Sequence, residues 1–206
     1  MRARLMCMWL VCGVGVSACE TSDAPVVPLV DATAYFPLEL GRVWLLYDSA
    51  DRFLRLETSR EVNVGGVPCV ALTLSFDFDP TEGAPVPPAY ELYLAEEEAG
   101  VRVFGAYDGN TGKTWTYLPG GVLAGRAMAW ETPVITTTAA AGQAVTYRST
   151  WRGEGMIRTW YGDFPEGIWL EAGVEGETPW GWYLAKARGP VKLEWDGALF
   201  QLYDFQ

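Results

Sequence analysis

The period-two alternation of apolar and polar residues is the feature that most constrains how this chain can fold. It is clearest over residues 72–78, 145–152 and 191–196, where apolar side chains stand at nearly every second position. Such alternation is typical of strands that bury one face and expose the other. The pairs Gly65-Gly66 and Asp196-Gly197 lie between strand-like runs and are signals of two-residue hairpin turns. The sequence therefore predicts antiparallel strands joined by tight turns.

The arrangement of these signals favours one all-β domain over residues 35–206. No stretch of helical period exceeds about ten residues without a glycine or proline, so few and short helices are expected. Strands recur about every 8 to 12 residues, which favours an antiparallel meander. A flat sheet would leave the apolar face of this meander in water. We therefore expect a single, strongly curved antiparallel sheet, shaped as a half-barrel or packed like a sandwich.

Three short segments are expected to depart from the strand pattern. Residues 79–88 combine proline, glycine and acidic side chains, which favour an exposed loop. Residues 136–142, with the sequence TTTAAAG, carry no large apolar side chain and are expected to be weakly ordered. A short turn is expected at residues 38–41.

The composition of the chain narrows the classes of partner. It has 15 Lys and Arg against 26 Asp and Glu, a formal net charge of −11, and no histidine. Nucleic acid is excluded as a partner, because phosphate contacts need clustered cations. Ten tryptophans and ten tyrosines suit antiparallel strands, which is the simpler interpretation of their number. The alternative is an aromatic surface that binds sugars or lipids.

Residues 1–18 have the features of a bacterial export signal. Arg2 and Arg4 give a positive start, and residues 5–16 form an uncharged, mostly apolar run. As a helix this run is about 18 Å long, too short for a hydrocarbon core of about 30 Å. The tetrapeptide Val16-Ser17-Ala18-Cys19 resembles the lipobox of bacterial lipoprotein signal peptides. The resemblance implies cleavage before Cys19 and a diacylglycerol group on its thiol.

This resemblance also implies a location. Acyl chains on Cys19 would be the contact with the membrane, and residues 19–34 would be a flexible tether to the domain. Glu20 stands where inner-membrane lipoproteins usually carry aspartate, which favours the outer membrane, on its periplasmic face or at the cell surface. The alternative is an ordinary secretory signal cut at an Ala-x-Ala-like site, with Cys19 free or paired.

The remaining cysteines offer no chemistry. Cys7 and Cys12 lie in the signal, so Cys69 is left without a disulfide partner or a metal-ligand cluster. Cys69 heads an apolar strand, and we expect it to act as a small buried hydrophobe. Because the chain has no histidine, the Ser-His-Asp and Cys-His devices and the common zinc sites are excluded. We expect no catalytic residue, no metal site and no cofactor.

Several acidic groups and one loop are the remaining candidates for chemistry, and each has a simpler structural interpretation. Glu96-Glu97-Glu98 is expected at a solvated hairpin end, and two further carboxylate pairs are expected at the surface: Asp77 with Asp79, and Asp163 with Glu166. Residues 108–113 are superficially similar to a calcium loop. Pro119 occupies the position of the bidentate acidic ligand, so a hairpin turn is the better interpretation.

Three further segments resemble a group of bacterial exported proteins and lipoproteins of undefined function. They are Tyr35-Phe36-Pro37-Leu38 followed by Gly41 and Trp44, then Gly162-Asp163-Phe164 followed by Ile168-Trp169-Leu170, and finally residues 183–192. The glycine and tryptophan positions are of the kind that make turns and anchor cores. The resemblance implies a curved antiparallel β-sheet and carries no catalytic residue over to this chain.

Three functions are compatible with the sequence. The first is a non-enzymatic envelope lipoprotein whose curved sheet binds an apolar or amphipathic ligand or a protein partner. The second is a carbohydrate-binding surface module, or a glycan hydrolase that uses tryptophans and paired carboxylates. Trp180 and Trp182 share one strand face, which would suit such a surface, although they can equally be core. The third is a structural component of a larger envelope assembly.

Overall fold

The structure is a computed structural model that describes residues 28–76 and 89–206. Residues 1–27 and 77–88 lie outside the described residues, and with them the predicted signal, Cys19 and the predicted loop at 79–88. The described residues form one 3₁₀ helix, Ala32–Tyr35, and the following strands: β1 Leu29–Val30, β2 Val43–Tyr47, β3 Phe53–Val64, β4 Val67–Phe76, β5 Tyr90–Glu97, β6 Gly100–Asp108, β7 Lys113–Gly125, β8 Met128–Ala129, β9 Pro133–Ala140, β10 Gln143–Arg158, β11 Asp163–Val174, β12 Trp180–Ala185, β13 Gly189–Trp195 and β14 Ala198–Phe205. No helix among them is long and apolar enough to cross a membrane.

Twelve of these strands close into an antiparallel barrel. Their order around the barrel is β10-β11-β12-β13-β14-β2-β3-β4-β5-β6-β7-β9, and β9 pairs back onto β10. β1 and β8 pair with each other in a separate two-stranded sheet. The prediction of an all-β antiparallel meander is confirmed. The sheet goes beyond the expected half-barrel and closes, which pairs strand edges that an open sheet would leave exposed.

The tight turns form where the dipeptides predicted them. Val64 pairs with Val67 across Gly65-Gly66, and Trp195 pairs with Ala198 across Asp196-Gly197. All four turn residues have positive φ, between 50° and 91°. A type I′ turn needs positive φ at both central positions, and its twist matches that of the flanking strands. These local signals therefore fix the register of two hairpins.

Two boundary expectations are wrong. Residues 136–140 of the TTTAAAG segment are part of strand β9, which pairs along its whole length with β10. Folded structure already includes Leu29 and Val30, before the expected start near Tyr35, because β1 pairs with β8 and Ala32 is completely buried. The last residues of the expected tether therefore belong to the domain. The expected turn is present at Leu40 and Gly41.

The core fills the inside of the barrel. Its largest completely buried side chains are aromatic and aliphatic and come from strands all around the wall, among them Trp44, Trp182, Phe200, Leu54, Leu72 and Leu94. The alternation predicted for 191–196 is present, since Val191 and Leu193 are buried and Lys192 is half-buried. The apolar positions of the predicted alternation are therefore the ones that face the core.

The first and the last of the three segments that resemble exported proteins meet at one end of the barrel. The Trp44 Nε1–H donates to the carbonyl of Arg188 at 2.7 Å, and the backbone N–H of Ala187 donates to the carbonyl of Ala34 at 3.0 Å. Phe36 packs edge-on against Trp182, with ring centroids 5.5 Å apart. Trp44 therefore anchors the core and joins the opening segment to the closing one.

The opposite end carries the turns β2–β3, β6–β7, β11–β12 and β13–β14, and we call it the mouth. These turns share one end because every second connection of an antiparallel meander emerges on the same side.

Candidate functional site

A depression of about 440 Å³ lies at the mouth of the barrel. Its walls combine aromatic and polar side chains from the ends of strands and from the mouth turns: Arg52, Phe76, Asn110, Thr178, Trp180, Trp195, Asp196, Ala198 and Phe200. This volume is in the range of small-molecule sites, about 300 to 1,000 Å³. We call this depression the mouth pocket.

The aromatic rings of the mouth pocket pack into one continuous platform. Trp195 stacks on Phe76 with ring centroids 4.6 Å apart, and it contacts Trp180 at 5.0 Å. Tyr90 does not line the pocket but packs against these rings from behind the pocket wall, 5.2 Å from Trp180 and 6.0 Å from Trp195. At these separations the rings contact each other and leave no gap for a group held between them. Such a platform suits stacking by a flat ring or by the apolar face of a sugar.

The strand period explains how these rings reach the mouth. Trp180 and Trp182 both face inward from β12, as their two-residue spacing predicted. Trp182 is only 1% exposed and belongs to the core, whereas Trp180 is half-buried at the end of the strand. The sequence left open whether Trp180 and Trp182 form a surface or belong to the core. In the structure Trp182 belongs to the core and Trp180 lines the pocket.

An ion pair between the buried Asp48 and the half-exposed Arg52 fixes the polar rim. Asp48 is 3% exposed and accepts from the backbone N–H groups of Ala50 and Arg52, each at 2.9 Å. The Arg52 guanidinium donates to Asp48 through Nε at 2.7 Å and lies 5.5 Å from the Phe200 ring centroid. Burial alone would raise the pKa of Asp48, but these hydrogen bonds and the Arg52 charge outweigh it and lower that pKa. Arg52 is thereby held in place at the pocket.

A second, polar depression continues from this rim. It has a volume of about 380 Å³ and shares Arg52, Asp196 and Ala198 with the mouth pocket. Ser49 and Gln201 add hydrogen-bonding groups to it. The combined site is therefore amphipathic, with an aromatic platform on one side and charged and amide groups on the other.

A smaller chamber of about 50 Å³ lies deeper, toward the core. Tyr90, Tyr117 and Tyr147 line it together with Trp182, and Glu177 and Thr178 from the β11–β12 turn border it. Trp180 and Thr178 line both this chamber and the mouth pocket. A space of this size holds a few water molecules or one small polar group. We call it the inner chamber.

The cysteines are placed as follows. Cys19, the predicted lipid-attachment residue, lies outside the described residues. Cys69 is 3% exposed, in a small apolar cluster with Val64 and Phe104. Burial, with a smaller contribution from the charge of Glu97, raises the pKa of the Cys69 thiol to about 11. The expected role of Cys69 as a buried hydrophobe is confirmed.

The acidic candidates are dispersed over the surface. Glu96 and Glu97 pair with Arg126 and Arg102, Asp163 lies 3.9 Å from Arg158, and Glu166 lies 3.6 Å from Lys186. Asp77 and Asp79 lie outside the described residues. In the part of the chain that is described, no three Cys, Asp or Glu side chains are grouped so that they could hold a metal ion.

The loop at residues 108–113 is the hairpin turn between β6 and β7. The Asp108 carboxylate accepts from the Asn110 N–H at 2.9 Å and from the Thr111 hydroxyl at 2.7 Å. The bond from the Thr111 hydroxyl contributes most to lowering the pKa of Asp108. The carboxylate is thus used to shape the turn, and the interpretation as a hairpin is confirmed.

Most residues of the mouth pocket escaped the sequence reasoning. Phe76 is on β4, whereas Trp180 and Trp195 come much later in the chain, on β12 and β13, and only the curvature and closure of the barrel bring the three rings together. A usable signal existed for Trp195, because an inward-facing aromatic residue directly before an Asp-Gly turn must lie at an end of the sheet. The Asp48–Arg52 pair had no signal beyond its position in a short turn.

The comparisons with known proteins add little. No family model matches this chain, and no curated protein matches it. Among solved structures it is similar to a chain described as a "putative lipoprotein from Parabacteroides distasonis ATCC 8503". That similarity covers 85% of this chain and 100% of the other, at 10% sequence identity and a TM-score of 0.35. These values are too low to identify a common fold or to transfer a function.

Proposed function

We propose that this protein is a non-enzymatic, lipid-anchored protein of the bacterial cell envelope that binds a small amphipathic ligand at the mouth of its barrel. The observation that carries the proposal is the mouth pocket, where a platform of contacting aromatic rings adjoins a rim built on the Asp48–Arg52 pair. Apolar walls with a few fixed polar groups are the usual composition of a small-molecule site.

The mouth is a better place for the ligand than the interior. The barrel is filled by its own side chains, and the inner chamber of about 50 Å³ is too small for an acyl chain. The volume of the mouth pocket, about 440 Å³, is about nine times that of the inner chamber, about 50 Å³. A compact ring-bearing ligand therefore fits this protein better than a long lipid chain does.

The location follows from the lipobox-like tetrapeptide. Acylation of Cys19 would place the domain at the membrane surface, and Glu20 favours the outer membrane. The domain itself is acidic, so it would be repelled by anionic head groups and would depend on its acyl chains for attachment.

Carbohydrate binding is the second candidate, and the aromatic platform favours it. Sugar rings present an apolar face that stacks on tryptophan, and the rim supplies partners for their hydroxyl groups. Hydrolysis has less support. It needs two carboxylates about 5 to 9 Å apart, and among the described lining residues of the mouth pocket Asp196 is the single carboxylate.

Isothermal titration of the purified protein in detergent tests the proposal. The probes are small amphipathic ring compounds: phenyl β-D-glucopyranoside, cyclohexyl β-D-glucopyranoside and indole-3-ethanol. We expect at least one to bind, and we expect Trp195→Ala to weaken it about 10-fold or more, as truncation of a central aromatic contact does. Trp160→Ala is the matched control, because Trp160 is 64% exposed in the β10–β11 turn, away from the mouth.

A second variant covers the case in which Trp195→Ala does not fold. Trp195→Leu retains apolar volume and removes the flat ring, so it should also weaken binding while keeping the strand signature in circular dichroism. If no probe binds to the wild-type protein, or if both Trp195 variants bind as tightly as the wild type, the proposal is wrong.

A further inference from the structure

We infer that the inner chamber is a subsite for a neutral hydroxyl group of the ligand, so that the ligand is a hydroxylated ring compound of the sugar type. This inference rests on the proposed function, because it assumes that a ring is held on the aromatic platform. It goes further by specifying that the deeper end of the site accepts a neutral hydroxyl group.

In the described part of the chain, two tyrosine residues of the chamber have hydroxyls without a hydrogen-bond partner. Tyr117 and Tyr147 are 8% and 7% exposed, and both line the chamber. Within residues 28–76 and 89–206, neither hydroxyl makes a hydrogen bond, whereas the hydroxyls of Tyr93 and Tyr183 each donate to a glutamate. Neither hydroxyl is among the fully enclosed, unpartnered polar atoms of the described residues, so both open onto the chamber and are free to bond to a polar occupant.

The three tyrosine side chains border the same cavity of about 50 Å³. Burial is the main cause of the raised pKa of Tyr147, and the next causes are its neighbours Tyr117 and Tyr90. Burial also raises the pKa of Tyr117 to about 12, with Glu177 adding to that shift. Tyr90, Tyr117, Tyr147 and Glu177 all border the inner chamber, so these pKa shifts come from groups around one cavity. The three tyrosines therefore act on a single small volume.

The charge and size of the chamber define what it can accept. Glu177 repels an anion, and un-ionised phenols neutralise none, so a carboxylate or phosphate is disfavoured. A neutral hydroxyl can both donate to and accept from a phenol. With about 50 Å³ available, the chamber accommodates a hydroxyl or hydroxymethyl group and excludes a whole ring.

The chamber and the mouth pocket are adjacent across Trp180 and Thr178. Trp180 lines both spaces and is part of the aromatic platform. A ring stacked on the platform can therefore extend a substituent past Trp180 toward Tyr117 and Tyr147. One ligand can then stack its ring on the aromatic platform and bond a hydroxyl to Tyr117 or Tyr147. A sugar has both an apolar ring face and hydroxyl groups, so it suits this arrangement.

Titration with two matched probes tests the inference. Phenyl β-D-glucopyranoside and phenyl β-D-glucuronide differ only in that the glucuronide carries a carboxylate in place of the hydroxymethyl group. We expect the neutral glucoside to bind at least about 10-fold more tightly. Tyr117→Phe and Tyr147→Phe should each weaken glucoside binding by about 2- to 10-fold, the usual effect of one lost hydrogen bond. Tyr183→Phe is the control, because its hydroxyl is bonded to Glu194 at 3.0 Å and is not part of the chamber, and it should leave binding unchanged.

A ligand-free readout keeps the test independent of the probe. Because their hydroxyls have no protein partner, Tyr117→Phe and Tyr147→Phe should leave the melting temperature unchanged or raise it, whereas Tyr183→Phe should lower it. A loss of stability in both chamber variants would overturn the inference, since it would assign the hydroxyls a structural role.

The two proposals can also fail separately. If the glucoside binds and Trp195→Ala weakens it, but both chamber variants bind normally, the subsite is wrong and the mouth site stands. Tighter binding of the glucuronide would also contradict the subsite. If no ring compound binds, the mouth site is wrong and the subsite fails with it.

Discussion

The contact between Gly189 and Trp44 gives a sharp test of how the barrel is held together at the end opposite the mouth. Gly189 begins β13 with a φ of +90°. A Cβ added there would lie 2.7 Å from Trp44 Cζ2 and 3.2 Å from its Cε2. Trp44 is completely buried, and its Nε1–H is held by the Arg188 carbonyl at 2.7 Å, so the ring has no free direction in which to move. We therefore expect Gly189→Ala to be strongly destabilising.

The loss of unfolding free energy caused by Gly189→Ala has two parts, the backbone strain and the contact with Trp44, and a matched glycine separates them. Gly66 has nearly the same φ, +91°, but a Cβ added there meets nothing within 4 Å. Gly66→Ala therefore measures the backbone effect alone, about 1 to 2 kcal/mol for an L-residue in the left-handed region. Gly189→Ala adds the overpacking of a filled core, about 1 to 3 kcal/mol more. For a domain of this size, that difference lowers the melting temperature by about 2 to 4 °C per kcal/mol.

Thermal unfolding followed by tryptophan fluorescence makes the comparison. The expected order of melting temperature is wild type, then Gly66→Ala, then Gly189→Ala. If the two variants melt at the same temperature, the close approach of Gly189 to Trp44 has no energetic consequence. The reasoning that links the opening and closing segments through Trp44 would then be refuted.

Three further predictions concern the rim, the buried thiol and the anchor. Asp48→Asn should lower the free energy of unfolding by about 1.5 to 3 kcal/mol at pH 7, because it weakens hydrogen bonds to a charged group. The folded-state pKa of Asp48 is lowered from 3.8, so its stabilisation is present above about pH 4 and is lost as the pH falls below that value. Urea unfolding should therefore separate wild type and variant by more at pH 7 than at pH 3, and equal stability at pH 7 would contradict the role of the pair. The Cys69 thiol, with a pKa of about 11, should react slowly with a disulfide reagent at pH 8 and rapidly in urea, and rapid reaction of the folded protein would show that it is accessible. Cys19→Ala should abolish incorporation of labelled palmitate and move the protein from the membrane to the soluble fraction, and unchanged labelling would refute the anchor.

Local features of the fold could be predicted because they depend on neighbouring residues. The alternation over residues 145–152 is a property of one strand, and the turn at Asp196-Gly197 needs only two residues with positive φ. Closure of the barrel is different. It depends on the pairing of Leu202 with Leu46 and of Tyr117 with Ala140, and no local pattern specifies partners so distant in the chain.

The two boundary errors have physical causes of the same kind. Residues 136–140 have small side chains, but threonine suits a strand, and pairing with β10 supplies the partner that the sequence does not reveal. β1 has only two residues, too few for any period to be read. In both places tertiary pairing decides the structure.

The candidate site could be predicted only in part. The shared face of Trp180 and Trp182 followed from strand period, but the depth of each ring depends on where the strand ends. Phe76 converges with Trp180 and Trp195 only in the closed barrel. The chamber hydroxyls were hidden for the same reason, because Tyr117 and Tyr147 come from strands that meet across the interior.

Native mass spectrometry of the protein released from the cell envelope tests the central claim most directly. The claim is that the aromatic mouth pocket holds a small ligand in the cell. We expect the wild type and Trp160→Ala to carry the same small neutral compound, with a fragmentation pattern that reveals hydroxyl groups, and Trp195→Ala to have lost it. If the wild type carries no such compound, or Trp195→Ala retains it equally, the mouth is not the binding site.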